Sequence, residues 1–277
     1  MIFSKLHSLY WRVLNKLKRT LKKRSWTKNP ANYSTTFFKE GLQLLEPHML
    51  GEATIKKLIS NTNVIEEALL VLNKLEVNHD INFIIDFYKK GLNLYKDNWV
   101  YADINTALIG LSRVMKIENY MEIGVRRGRS MCMLASQQKE ANFYGFDMWV
   151  EDYHDSPNPG PDFVKKELEK VGFQGNANFI NGDSKNTVPE FFKKNPDLFF
   201  DIITIDGDHS LRGAKKDIQN ILPRLKIGGA IVFDDISSQE HSYLRKLWIK
   251  QIKNKDNYYS YEFTDIGLGI AVGIRKY

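Results

Sequence analysis

The chain has 277 residues, 43% hydrophobic, 26% charged and 12% aromatic, a profile that excludes disordered and fibrous classes. No apolar run approaches the ~18–20 residues of a membrane-spanning helix. A single cysteine, Cys132, excludes an internal disulfide and a zinc site built mainly from thiolates. The net charge of +7 is concentrated in residues 1–28, which hold Lys and Arg but no acid. The rest is close to neutral, so no specific nucleic-acid partner is expected.

Within residues 1–28, Phe3, Leu6, Tyr10, Val13, Leu17 and Leu21 recur at three- and four-residue intervals. This is one stripe of an amphipathic helix, with the bases mostly on the other positions. Such an arm suits an anionic membrane surface, which makes peripheral contact through residues 1–24 one expectation. Packing on its own domain or on another subunit is the alternative. The bases interrupt the apolar positions, which is unlike a secretory signal, so the expected location is cytoplasmic, peripheral at the inner face of a membrane.

Ser25 to Ser34 is polar, carries Pro30 and reads as a linker. Residues 35–114 read as a helical N-terminal domain. Phe37, Leu42, Leu44 and Leu45 open its pattern, and Val64 to Leu75, Ile81 to Leu94 and Ala102 to Met115 continue it. These helices are candidates for a homo-oligomer contact or for part of an acceptor pocket, and neither is preferred.

From residue 115 to 277 the pattern changes. Short apolar runs at Tyr120–Ile123, Asn142–Phe146, Asn178–Asn181, Phe200–Ile205 and Gly229–Phe233 alternate with helical stretches. That alternation predicts right-handed crossovers and a parallel sheet. Tyr258–Phe263 and Leu268–Ile274, separated by a short turn, predict a closing antiparallel hairpin. The fold class is therefore α/β, a Rossmann-like sheet closed by a C-terminal hairpin and preceded by helices.

Ligands of such sheets bind beyond the carboxyl ends of the strands. The first strand ends Glu122-Ile-Gly124-Val-Arg-Arg-Gly128, whose two glycines permit a tight turn and close approach of a ligand. This spacing is not the Gly-x-Gly-x-x-Gly of a pyrophosphate loop. The second strand ends in Asp147, an acid suited to ribose hydroxyls, and the third in Gly182-Asp183-Ser184, suited to an adenine edge. The fourth ends Asp206-Gly-Asp208-His209-Ser210 and the fifth Asp234-Asp235. Three clustered carboxylates resist ionisation unless a cation offsets them, and oxygen ligands suit a hard divalent ion such as Mg²⁺. The plainer alternative is that Asp-Gly-Asp is a turn and Asp-Asp a helix cap.

In order and spacing these motifs resemble a class I S-adenosylmethionine-dependent methyltransferase. More narrowly, they resemble the group that includes the metal-dependent sugar O-methyltransferases of macrolide and aminocoumarin biosynthesis (the macrocin and mycinamicin type). The resemblance covers about residues 115–277. It implies S-adenosylmethionine as cofactor, with Glu122, Gly124 and Gly128 around its methionine part, Asp147 on the ribose and Asp183 on the adenine. Asp206 then borders the cofactor and shares a Mg²⁺ ion with Asp234 and Asp235, while His209 or Asp208 is the base. The acceptor implied is a hydroxyl of a saccharide or glycoconjugate. The chain departs from the group at Leu211-Arg212, where Tyr-Glu is common, so acceptor contacts are not carried over.

The long, proline-rich stretch from Met148 to Pro161 reads as a lid, with Trp149 and Tyr153 either stacking on an acceptor or anchoring the loop. Four other readings compete. A nucleic-acid methyltransferase would use the basic arm, but the fourth strand does not end in Asn/Asp-Pro-Pro-aromatic and no Pro-Cys nucleophile is present. A nicotinamide oxidoreductase is disfavoured by the glycine spacing and the hairpin. A catechol-type or other small-molecule O-methyltransferase shares the acidic cluster, and a cofactor-binding module without turnover also fits.

Overall fold

The computed structural model describes residues 36–39, 42–45, 51–151 and 157–276. The basic arm and Tyr153 lie outside them. Two short strands, β1 (Thr36–Lys39) and β2 (Leu42–Leu45), pair antiparallel. This corrects the helical reading of that stretch. A short apolar run has the same periodicity in either state, and the β-branched Thr36 with Phe37 and Phe38 favours an extended pleat.

Four helices follow: α1 (Glu52–Ser60), α2 (Thr62–Leu72), α3 (His79–Tyr95) and α4 (Ile104–Ser112). Their starts are set by local chemistry. The Asn61 side chain accepts from the Val64 N–H, Asn78 from Ile81, and Asp103 forms a reciprocal capping box with Thr106. Helix α4 is buried along its whole length, as expected for a helix sandwiched between others and a sheet.

The sheet has seven strands in the order β5-β4-β3-β6-β7-β9-β8. Strands β3 (Asn119–Ile123), β4 (Asn142–Asp147), β5 (Asn176–Asn181), β6 (Phe200–Ile205) and β7 (Leu225–Asp234) are parallel, as expected from the sequence. Helices α5 (Arg129–Gln137), α6 (Pro161–Lys170), α7 (Ser184–Lys194) and α8 (Leu211–Ile221) make the crossovers. After the short helix α9 (Tyr243–Trp248), strands β8 (Tyr258–Phe263) and β9 (Ile270–Arg275) form the hairpin. Its second strand lies inside, antiparallel to β7.

Neighbouring residues of the central strands face opposite layers. Tyr120, Ile202 and Val232 join a core with α1–α6, while Met121, Ile203 and Phe233 join one with α7–α9. Strands β6 and β7 are apolar runs because both faces are covered. Among the described residues no helix is long and apolar enough to cross a membrane.

Candidate active site

The strand order reverses between β3 and β6, and the carboxyl ends of strands diverge there to leave a crevice. A cleft of about 920 Å³ opens at this place, lined by residues following β3, β4, β5, β6 and β7.

At one side, Gly124 holds φ +88°, and a Cβ there would collide with the Asp206 carbonyl. Only glycine fits, and its bare backbone faces the cleft. Gly128, at φ +73°, starts α5 against Val164 and does not line the cleft. Glu122 sits beneath the loop, fully buried, accepting from Tyr120 Oη at 2.5 Å and from Ser130 Oγ. Burial pushes its carboxyl up to about 8, against the pull of those two hydroxyls.

Asp147 lies in the cleft, but its oxygens are already engaged. Oδ2 accepts from the Val125 and Arg126 N–H groups, both at 2.7 Å, and Oδ1 from the Trp149 N–H at 2.6 Å. The acid thereby ties the β3 loop to the end of β4. Asp183 also lines the cleft, where it caps α7 by accepting from the Lys185 N–H and lies 3.5 Å from the Lys185 ammonium. Trp149 is an anchor: its indole N–H donates to Asn181 at 2.7 Å and its ring packs edge-on to Phe179.

The acids of β6 and β7 meet at the other side. His209 Nε2 is 3.4 Å from Asp206 Oδ1, and Nδ1 is 3.6 Å from Asp235 Oδ2. Nε2 is buried without an in-line hydrogen bond. The Asp206 carboxylate, with Asp235 and Asp208 beyond it, raises the imidazole's pKa. Burial, then the charges of Asp206 and Asp235, raises the Asp234 carboxyl well above its usual range. Burial and Asp206 bring Asp235 to about 6. Asp235 is also held at φ +61°, an uncommon conformation for a side-chain-bearing residue. These two acids precede a loop, not a helix, so the cap reading does not hold for them. Among the described residues no three acidic, histidine or cysteine side chains form a metal shell.

Asp208 behaves differently. Its Oδ1 accepts from the Ser210 N–H at 2.8 Å and its Oδ2 from Lys185 Nζ at 3.1 Å. Burial pushes its carboxyl up, but these bonds outweigh burial and leave it lowered. The turn reading holds here.

Arg126 binds an acid in the first turn of α3, and Arg127 one in the α2–α3 connection. Arg126 Nη1 is 3.1 Å from Asp80, and Arg127 Nη2 is 2.9 Å from Glu76. They join the β3 loop to the helical segment. The sequence offered no signal for three further groups on the cleft wall: Arg129, Lys185 and the loop from Ser237 to His241. His241 Nδ1 lies 3.1 Å from the Tyr243 hydroxyl, which donates to the His209 carbonyl at 2.8 Å.

Comparison with known proteins agrees with this fold. Residues 121–236 match a family model described as a methyltransferase domain. The O-methyltransferase TomG from Streptomyces achromogenes, solved with S-adenosylmethionine, is 13% identical with a TM-score of 0.51, over 73% of this chain and 92% of its own. An O-methyltransferase from Bacillus cereus, solved with S-adenosylhomocysteine, is 14% identical with a TM-score of 0.50, over 77% of this chain and 91% of its own. At such identities the likeness is one of fold. No curated protein sequence matches the chain.

Proposed function

From the match of residues 121–236 to a methyltransferase-domain family model, we propose that the chain moves the methyl group of S-adenosylmethionine to a hydroxyl oxygen. The acceptor class is a saccharide or glycoconjugate, and a divalent cation such as Mg²⁺ assists. The observation that carries this reading is the gathering of Asp206, Asp234 and Asp235 on one wall of the cleft, with His209 between Asp206 and Asp235. Burial and the Asp206 charge raise the carboxyls of Asp234 and Asp235, as suits a donor set whose charge a cation would offset. The fit rests on this donor chemistry, and the oxygens must turn to a common point to hold the ion.

When bound, the cofactor supplies an electrophilic sulfonium methyl, and a divalent ion lowers the pKa of an acceptor hydroxyl. The chain's task is then alignment and proton removal. The open backbone at Gly124 admits the cofactor, and Asp147 keeps the loop in that shape through its three N–H bonds. Asp206, Asp234 and Asp235 would hold the cation. His209 accepts the hydroxyl proton at Nε2, the ring atom without an in-line hydrogen bond. Asp208 is the poorer base, since Ser210 and Lys185 favour its ionised form. The hydroxyls and amide of Ser237, Ser238 and Gln239 on the cleft wall suit a polyhydroxylated acceptor.

The test is calorimetric titration of S-adenosylhomocysteine with and without Mg²⁺, followed by incubation with S-adenosylmethionine and an acceptor panel. Nucleotide-linked hexoses and catechols make up that panel, with products read by mass. Expected is binding, and transfer of one methyl group to a hexose that EDTA abolishes. Absence of binding in both conditions would sink the cofactor assignment. Transfer to catechols alone would replace the acceptor class, and transfer in EDTA would remove the cation.

A further inference from the structure

Most cations on the cleft wall already have acids. Arg126 reaches Asp80 at 3.1 Å, Lys185 spans Asp208 at 3.1 Å and Asp183 at 3.5 Å, and His209 stands between Asp206 and Asp235. Arg129, the first residue of α5, lines the same cleft. No ion pair joins it to a carboxylate of the described residues, and its buried Nε has no hydrogen-bond partner. A guanidinium presents five donors in a planar fork and stays charged. A buried donor left unmatched costs free energy, so a guanidinium on the cleft wall with an unmatched Nε is a position for a ligand acceptor.

The surroundings narrow the ligand. The cleft wall carries Asp147, Asp183, Asp206, Asp208, Asp234 and Asp235. A field of that sign welcomes the sulfonium and ammonium groups of S-adenosylmethionine and repels its one carboxylate. The charge of Arg129 acts on Glu122 below the β3 loop and on Asp234 at the end of β7. It lines the same cleft as the open backbone of Gly124. We infer that Arg129 is the residue that binds the α-carboxylate of the cofactor's amino-acid part, through a charge-assisted, fork-to-fork pair. This rests on the S-adenosylmethionine reading proposed above. Arg126 and Arg127, which neighbour it in sequence, serve instead to fasten the loop to Asp80 and Glu76.

Two probes separate the carboxylate from the rest of the ligand. S-adenosylhomocysteine carries the amino-acid part, and 5′-methylthioadenosine has the same nucleoside thioether without it. Both are titrated calorimetrically in EDTA into the full chain, as wild type, Arg129→Gln and Arg129→Lys. Expected is a roughly 10- to 100-fold loss of S-adenosylhomocysteine affinity in Arg129→Gln. Arg129→Lys recovers part of it, and 5′-methylthioadenosine binds all three proteins alike, which also reports that the variants are folded. Equal weakening of both probes would overturn the inference and make Arg129 a structural counter-ion of the acidic corner. Unchanged S-adenosylhomocysteine affinity in Arg129→Gln would overturn it too, leaving the cofactor reading intact. A wild type that binds neither probe would overturn the cofactor reading itself.

Discussion

The β6–β7 pair has an acid at its amino edge and several at its carboxyl edge, and the two edges treat them in opposite ways. At the amino ends Asp201 is 1% exposed. Its Oδ2 accepts from the Glu118 and Asn119 N–H groups at 2.9 and 3.0 Å, and both oxygens face Lys226 Nζ at 3.0 Å. At the carboxyl ends Asp206, Asp234 and Asp235 meet no Lys or Arg at ion-pairing distance among the described residues, and only His209 stands between them. A buried charge is tolerated when its partners are built in. Carboxylates crowded without a cation are held at a cost in stability, which is how functional sites differ from structural ones. One pair of strands thus contains a closed electrostatic site and an open one.

The largest effect should come from opening the closed end. Lys226→Ala leaves Asp201 charged and buried, and should cost about 3–5 kcal/mol in denaturant unfolding. A loss below about 1 kcal/mol would mean that the amino-end pair is no better satisfied than the carboxyl-end acids.

Glu122, on the neighbouring strand β3, sharpens the comparison through pH. Its folded pKa of about 8 lies above the ordinary 4.5 because burial disfavours the charge. The folded state therefore holds the proton more tightly than the unfolded chain. The stability it contributes is fully present below about pH 4.5 and lost as pH rises through about 8. Asp217, raised to about 7 first by burial, acts in the same direction. Unfolding free energy should fall on the order of a few kcal/mol between pH 5 and 9. In Glu122→Gln that slope should flatten; an unchanged slope would remove Glu122 as its source.

Closing the open end should do the reverse of opening the closed one. Asp234→Asn removes one of the repelling acids and should raise stability by about 1 kcal/mol while lowering methyl transfer at least about 100-fold. A variant that is destabilised and still active would erase the distinction between the two ends. The smallest effect belongs to Trp149→Phe, which loses the indole bond to Asn181. It should cost about 1 kcal/mol in thermal unfolding and leave S-adenosylhomocysteine affinity within about twofold, as expected of an anchor.

Much of the fold was legible from local rules. The apolar runs at Phe200–Ile205 and Tyr258–Phe263 mark β6 and β8 with their observed bounds. The acids after β4, β6 and β7 line the cleft, as strand ends in such a sheet should. Residues 36–45 were misread because a four-residue strand carries too little periodicity to exclude a helix. For Glu122, side-chain alternation along β3 places the carboxyl beneath the loop, buried with Tyr120, which its position at a strand end does not reveal.

What the sequence by itself determined is the alternation of strands and helices, the closing hairpin and the set of acids at one edge of the sheet. All of these follow from the chain's own periodicity and turn residues. Only the tertiary structure decided which charges are already matched. Asp147 is occupied by backbone N–H groups of another strand's loop, Arg127 by Glu76, and Asp208 by Lys185. The reason is physical. A carboxylate's state depends on what lies within a few ångströms of it, and those neighbours come from distant parts of the chain, brought together by crossovers whose packing no local pattern encodes.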